Sequence, residues 1–216
     1  MPDSEDRQEI LDNHIGFRHL YESRASKQTL LLLHGTGGDE YDLIELGQTV
    51  APDANLLSPR GKVLENGRVN RFFRRLAEGV FDEQDIKFRA QELAEFVGSA
   101  AEHYGFDSKN VWALGFSNGA NIATALMLLH PEILCGAILL SPMLPLVPEA
   151  APNLKGVPVF IGAGNADAIA TPTETTRLAE LLKSYGAVVA THFYPTGHTI
   201  SRAQVDDVRD WIAAQA

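Results

Sequence analysis

The sequence predicts an α/β fold in which a mostly parallel central sheet is flanked by helices on both faces. Short apolar runs alternate with segments of helical periodicity along the chain, and this alternation is typical of a parallel sheet. The apolar runs are continuous, which suits strands that are covered on both faces. In open sheets of this kind the functional site lies at the carboxyl ends of the strands. The residues that follow each strand are therefore the first candidates for chemistry.

The predicted elements follow one another in a regular order. Core strands are predicted at Thr29–Leu33, Ala54–Leu57, Val111–Leu114, Gly136–Leu140, Val157–Gly162 and Val188–Tyr194, with Phe17–Tyr21 as an extra edge strand. Helices are predicted at Tyr41–Val50, Gln84–Tyr104, Asn118–Leu129, Pro172–Tyr185 and Ser201–Ala213. The third helix ends at His130-Pro131, because proline cannot continue a helix.

The segment Ser58–Asp85 does not fit the alternation. It is rich in arginine and aromatic residues, namely Arg60, Arg68, Arg71, Arg74, Arg75, Phe72, Phe73 and Phe81. Loops of this length inside a domain are usually functional or disordered, and the aromatics favour an ordered loop over the site. Arginine favours bidentate contacts with anions, so the group could bind a substrate carboxylate. Pairing with nearby acids is the preferred interpretation in a chain with excess negative charge.

Length, composition and charge narrow the class of protein. The 216 residues, of which 45% are hydrophobic, suit one domain spanning 1–216, with residues 1–14 as a flexible segment and no large lid domain. The formal net charge of −10 disfavours nucleic acid and anionic membranes as partners. No apolar run approaches the ~20 residues of a membrane span, and the acidic start does not resemble a signal peptide. We therefore expect a cytoplasmic location.

The only cysteine of the chain is Cys135. A single cysteine cannot form an intrachain disulfide. Because it lies beside the apolar run that forms the fourth core strand, we expect it to be buried and unreactive.

Ser117 occupies the centre of Gly115-Phe116-Ser117-Asn118-Gly119, between a predicted strand and a predicted helix. This pattern in this context is typical of a nucleophile elbow, in which a strained turn exposes the serine hydroxyl. Glycines on either side relieve crowding between strand and helix because they lack a β-carbon. The motif therefore predicts an enzyme with Ser117 as its nucleophile.

A serine nucleophile needs a base, and the base needs an orienting group. Asp167 and His198 each lie in a loop that follows a predicted strand, and they complete the chain order Ser, Asp, His. We therefore predict His198 as the base and Asp167 as its orienting acid. The other histidines lie within elements or before the first core strand and are expected to be structural or solvated: His14, His19, His103, His130 and His192.

The tetrahedral intermediate of such a reaction needs N–H donors for its oxyanion. Asn118 directly follows the nucleophile and is expected to give one backbone N–H. Thr36 lies in the glycine-rich loop after the first core strand and is our choice for the second. His34, in the same loop, is expected to hold the loop by a side-chain hydrogen bond, with a base or a metal ligand as the alternative roles.

At these residues the chain resembles the α/β-hydrolase superfamily and, within it, the phospholipase/carboxylesterase branch that includes acyl-protein thioesterases. The resemblance extends from about residue 15 to the end and rests on residues 33–38, 115–121, 164–167 and 197–198. It implies a serine carboxylesterase that acts on small or medium acyl esters, without cofactor or metal. A homodimer is compatible with this branch, and composition does not decide it. The expected pocket lining, with core packing as an equal alternative, is Phe72, Phe73, Met143 and Leu144.

The chain departs from the branch at two positions. The acid loop reads Asp167-Ala168, where the branch commonly has Asp-Pro, although the carboxylate is intact. Acyl-protein thioesterases usually carry glutamine after the nucleophile, and this chain has Asn118. Protein deacylation is therefore disfavoured as the activity.

Two other functions remain open from the sequence. Residues 58–61 and 71–75 resemble a bacterial subgroup in which some members are labelled hydroquinone-specific dioxygenases. A metal-dependent ring-cleavage dioxygenase would require two histidines and a carboxylate, for which His34, His198 and Asp167 are the nominal set. A non-catalytic ligand binder on a hydrolase scaffold is the third hypothesis, because fold alone does not define function.

Overall fold

The computed structural model describes residues 7–10, 15–24, 26–77 and 79–215. Its strands are β1 (Arg7–Ile10), β2 (His19–Glu22), β3 (Thr29–Leu33), β4 (Asn55–Pro59), β5 (Val63–Glu65), β6 (Val69–Arg71), β7 (Arg75–Ala77), β8 (Val80–Phe81), β9 (Val111–Phe116), β10 (Gly136–Leu140), β11 (Pro158–Gly164) and β12 (Val188–Tyr194). Its helices are α1 (Ile44–Val50), α2 (Glu83–Tyr104), α3 (Asn118–Leu129), α4 (Pro172–Ser184) and α5 (Arg202–Ala213).

The central sheet has eight strands in the order β1-β2-β4-β3-β9-β10-β11-β12. The six strands from β4 to β12 in this order are parallel, whereas β2 pairs antiparallel with both β4 and β1. The predicted mostly parallel sheet is confirmed. Since parallel strands end at the same edge, the loops after β3, β9, β11 and β12 lie on one side of the sheet.

Alternate residues of each core strand pack on opposite faces of the sheet, as the pleat requires. In β3, Leu31 and Leu33 join the core formed with α2, α3 and α4. Leu30 and Leu32 join the core formed with α1 and α5. Helices therefore cover both faces, which explains why the strand sequences are apolar without interruption.

Most predicted elements are present with shifted ends. Helix α1 begins at Ile44, three residues later than predicted, and β11 extends two residues further, to Gly164. The predicted edge strand is observed as β2, but it is not at the edge, because β1 pairs with its outer side. Strand β1 lies within the segment 1–14 that was expected to be flexible. Residues 1–6 and 11–14 of that segment lie outside the described residues.

The arginine-rich connection is ordered over its described residues. It contains two small antiparallel pairs, β5 with β6 and β7 with β8. Acidic partners hold several of its arginines: Arg60 pairs with Glu40, Arg74 with Asp82 and Arg75 with Glu65. The preferred interpretation of this group as ion pairs is thus confirmed for these three arginines.

Cys135 is only partly buried, rather than buried as expected. Its Sγ lies 3.3 Å from the carbonyl oxygen of Val111, to which the thiol donates. Burial raises the pKa of this thiol to about 11. The thiol therefore stays protonated at neutral pH, and a protonated thiol is a poor nucleophile. In the described part of the chain, no helix has both the length and the apolar character that crossing a membrane requires.

Candidate active site

Ser117 forms the sharp turn between β9 and α3. Its backbone has φ 52° and ψ −112°, a strained conformation for a residue with a β-carbon. Two hydrogen bonds hold it: its N–H donates to the carbonyl of Leu140 over 2.9 Å, and its own carbonyl accepts from Asn121 over 2.9 Å. The strained turn is thus fixed by the neighbouring strand and by the first turn of the helix.

The two glycines of the motif are required by close backbone approach. A β-carbon at Gly119 would lie 1.8 Å from the carbonyl oxygen of Leu33, and one at Gly115 would lie 2.5 Å from the carbonyl oxygen of Gly119. Neither obstacle is a flexible side chain, so the backbone itself would have to move. The expectation that glycine relieves crowding between strand and helix is confirmed.

The structure brings Ser117, His198 and Asp167 together. His198 follows β12, and its Nε2 lies 2.8 Å from Ser117 Oγ. Its Nδ1 lies 2.7 Å from Asp167 Oδ2, in the loop after β11. Because a carboxylate only accepts hydrogen bonds, Nδ1 carries the proton and Nε2 is left to accept from the serine hydroxyl. Three loops that are distant in sequence therefore meet because their strands are parallel.

Backbone groups hold the carboxylate of Asp167 in place. Its Oδ1 accepts from the N–H groups of Ile169 and Ala170, over 2.8 and 2.9 Å, which leaves Oδ2 for His198. The side chain is fully buried. Both donors come after residue 168, so the absence of a proline at that position leaves the carboxylate anchored.

Thr36 and Asn118 line the same cavity as Ser117. Asn118 is the first residue of α3, and the first N–H groups of a helix have no acceptor within it. Next to Thr36 the chain turns at Gly37, which has a φ of 89°. The N–H of Gly37 donates to the carbonyl of Asn70 over 2.9 Å. Both predicted oxyanion donors are thus at the site, on a helix start and on an anchored loop.

His34 anchors the loop that carries Thr36. Its Nε2 accepts from the N–H of Gly61 over 2.9 Å, and Nδ1 donates to the carbonyl of Gly35 over 2.7 Å. Both ring nitrogens are therefore used by the backbone, and the predicted structural role is confirmed. In the described ranges, no three His, Cys, Asp or Glu side chains are grouped so that they could hold a metal ion.

Glu40 anchors the same loop from its other end. Its buried carboxylate accepts from Arg18 Nε over 2.6 Å and pairs with Arg60. Burial by itself raises the pKa of this carboxyl, but the hydrogen bonds from Arg60 and Arg18 more than offset it, and the pKa is lowered. The ionised carboxylate thus ties the loop after β3 to the residue before β2 and to the residue after β4. No signal in the sequence had singled out this residue.

Burial lowers the pKa of His34 from its ordinary value of 6.5, despite the opposing hydrogen bond to Gly35. The unfolded chain then binds more protons than the folded one below pH 6.5, so His34 contributes stability that is complete above that pH and is lost as pH falls. His34→Gln keeps an acceptor for Gly61 but cannot titrate. We expect the stability advantage of the wild type over this variant to shrink from pH 8 to pH 5, measured by urea unfolding. A difference independent of pH would contradict this.

The cavity beside Ser117 has a volume of about 250 Å³. Met143 lines it as expected. Phe72 and Phe73 do not, because both are buried in the core. Leu144 likewise packs against that core. These three lining expectations are corrected: the other apolar walls come from Phe81, Phe116 and Ile169.

Long-range contacts explain why Phe72 points elsewhere. Its N–H donates to Asn118 Oδ1 over 2.7 Å, and its ring lies 4.6 Å from the ring of His34. The backbone of the arginine-rich connection is thereby fastened to the elbow, and this sets which side chains of the connection face the cavity. Arg71 and Arg75 do so, although the sequence did not separate them from the other arginines.

Comparison with known proteins shows the family of this chain. Residues 20–216 match the family described as Phospholipase/Carboxylesterase. MhqD of Bacillus subtilis (strain 168), which is named as a hydrolase, is 46% identical over 194 residues, or 90% of this chain and 96% of that protein.

Solved carboxylesterases have the same fold. That of Bacillus cereus has 42% identity and a TM-score of 0.92, over 95% of this chain and 98% of that one. That of Mesorhizobium loti has 34% identity and a TM-score of 0.88, over 97% and 99%. The chain has the α/β-hydrolase fold and belongs to the phospholipase/carboxylesterase family of hydrolases.

Proposed function

We propose that this protein is a serine carboxylesterase that hydrolyses small or medium acyl esters through Ser117, His198 and Asp167. One observation carries the proposal: a continuous hydrogen-bonded series, with His198 2.8 Å from the serine oxygen and 2.7 Å from the carboxylate. The series ends at a cavity that contains the serine and the histidine. Family membership supports hydrolysis as the reaction class.

The geometry supports a two-step acyl transfer. His198 Nε2 takes the hydroxyl proton as Ser117 Oγ attacks the ester carbonyl, and Asp167 stabilises the imidazolium that forms. The N–H groups of Thr36 and Asn118 hold the oxyanion. His198 then gives its proton to the departing alcohol, leaving an acyl-enzyme. A water molecule, deprotonated by the same imidazole, releases the acid and restores Ser117.

The cavity supports a short acyl group. Its volume of about 250 Å³ is below the usual range of about 300–1,000 Å³ for pockets that bind drug-sized ligands. Apolar contact comes from Phe81, Phe116, Met143 and Ile169 on its walls. A long chain would have to leave the cavity and lie on the surface, where it gains less from burial.

Hydrolysis of p-nitrophenyl esters from acetate to octanoate, with EDTA present, tests this function. We expect turnover that the chelator does not change, with kcat/KM highest between acetate and butanoate. Absence of ester turnover, together with stoichiometric iron in the purified protein, would favour the metal-dependent alternative. Binding of esters without turnover of any of them would favour the ligand binder.

A further inference from the structure

The cavity beside Ser117 carries uncompensated positive charge. Arg71 and Arg75 line it, whereas no acidic side chain among the described residues does, in a chain with a formal net charge of −10. Glu65 accepts from Arg75 over 2.7 and 3.1 Å and lies 3.8 Å from Arg71 Nη1. One carboxylate is therefore shared by two guanidinium groups, which leaves an excess of one positive charge at the cavity wall.

Arg71 is the buried member of the pair. Its side chain is 5% exposed, against 35% for Arg75. It donates from Nη1 to Thr36 Oγ1 over 2.8 Å and from Nε to the carbonyl of Phe73 over 3.2 Å. These neutral acceptors orient the guanidinium but bring no negative charge. Burial, reinforced by the charge of Arg75, lowers the pKa of Arg71.

A buried cation that has to share its acidic neighbour with a second guanidinium is costly to the fold. Guanidinium groups match carboxylates in charge and in geometry. An anionic ligand in the cavity would supply the missing charge. Such a ligand would sit near the oxyanion loop, because Arg71 is one hydrogen bond away from Thr36.

Asn118 offers an unused hydrogen-bond donor at the same cavity. Its Oδ1 accepts from the N–H of Phe72, which fixes the orientation of the amide. Its Nδ2 is buried and has no hydrogen-bond partner within the described part of the chain. An unpaired buried donor costs about 1–3 kcal/mol. An acceptor atom on the ligand would give this donor the hydrogen bond that it lacks. The two features are independent, and both favour a ligand rich in acceptor oxygens.

We propose that Arg71 recognises a carboxylate on the substrate, so that the preferred ester is an acid ester, carrying one free carboxylate besides the ester group that is cleaved. This inference rests on the proposed esterase function. The contact between Arg71 and Thr36 places the carboxylate subsite a few atoms from the carbonyl under attack. A short, doubly functional substrate of this kind fits a cavity of about 250 Å³.

The test compares pairs of esters that differ mainly in charge: monomethyl succinate with methyl succinamate, and 3-acetoxybenzoate with 3-acetoxybenzamide. The first pair places the carboxylate on the acyl side and the second on the alcohol side, so the two pairs locate the subsite. For at least one pair we expect kcat/KM to be about tenfold or more higher for the acid than for the amide, mainly through KM. No preference in either pair would overturn the proposal while leaving the esterase function standing.

Arg71→Met is expected to remove the preference for the acid. The matched control is Arg68→Met, since Arg68 lies exposed on the same connection and does not line the cavity. This control should keep the preference. Thr36→Val removes the hydroxyl that accepts from Arg71 and keeps the backbone N–H. If Arg71→Met and Thr36→Val both lower the rates of acid and amide equally, Arg71 only positions the loop and the proposal is wrong.

Binding to Ser117→Ala, measured by titration calorimetry with the same esters, separates this proposal from the esterase function. We expect tighter binding of the acid, and its loss when Arg71→Met is added. If the wild type hydrolysed none of the esters but this binding pattern appeared, the esterase function would be wrong and the carboxylate subsite would stand. Equal binding of acid and amide would overturn the subsite.

Discussion

Ser117→Ala is expected to lower kcat for ester hydrolysis by about 10⁴- to 10⁶-fold, without loss of the fold. The variant removes the only oxygen within hydrogen-bond distance of His198 Nε2 in the described structure, so no acyl-enzyme can form. Groups of a catalytic triad act as a unit, and their losses are not additive. His198→Ala should therefore cost about as much, and the double variant should be no slower than either single one. Steady-state hydrolysis of p-nitrophenyl butanoate measures all three.

Ser141→Ala is the matched control for this experiment. Ser141 is also a buried serine with positive φ, at 49°, directly after a core strand. It does not line the cavity, and its Oγ has no hydrogen-bond partner within the described ranges. We expect this variant to keep wild-type kcat. Equal turnover by Ser117→Ala and the wild type would show that the elbow serine is not the nucleophile.

Gly119→Ala is expected to lower the free energy of unfolding by more than about 4 kcal/mol, which is exceptional for one methyl group. The added β-carbon would lie 1.8 Å from the carbonyl oxygen of Leu33 and 2.7 Å from that of His34. Both atoms belong to the backbone at the end of β3, next to the centre of the sheet. Relief would require α3 to move away from β3, which would also displace Ser117. Urea unfolding measures the change.

Gly98→Ala controls for the general effect of adding a methyl group. Gly98 lies in α2, exposed, and a β-carbon there would meet nothing within 4 Å. Alanine favours the helix over glycine, so this variant should gain about 0.5–1 kcal/mol. If Gly119→Ala unfolded at the same urea concentration as the wild type, close approach of the backbone would not be the reason for glycine at this position.

Local pattern was enough to locate the candidate triad. Ser117 directly follows a strand that the apolar runs revealed, and Asp167 and His198 lie in the loops after two other strands. Parallel strands deliver such residues to one edge of the sheet. The arrangement therefore follows from strand order and direction, which the alternation of elements already indicated. The same reasoning placed His34 in the glycine-rich loop after the first core strand.

The lining of the cavity could not be found in this way. Phe72 and Phe73 are close in sequence to Arg71, yet they point into the core while Arg71 faces the cavity. In a connection without periodicity, the direction of a side chain depends on which distant groups hold the backbone. Here the N–H of Phe72 is held by Asn118, 46 residues away. The anchoring of the loop by Glu40 with Arg18 and Arg60 is equally long-range.

By itself, the sequence determined the class of fold, the strained elbow and the chain order of the candidate triad. These depend on periodicity, on glycine and on which residues follow the strands. Only the tertiary structure decided which arginines face the cavity, which acid they share and how small the cavity is. Those properties depend on packing and on charge balance between segments that are far apart in the chain. The energy of each contact depends on how deeply it is buried, which a local sequence pattern does not reveal.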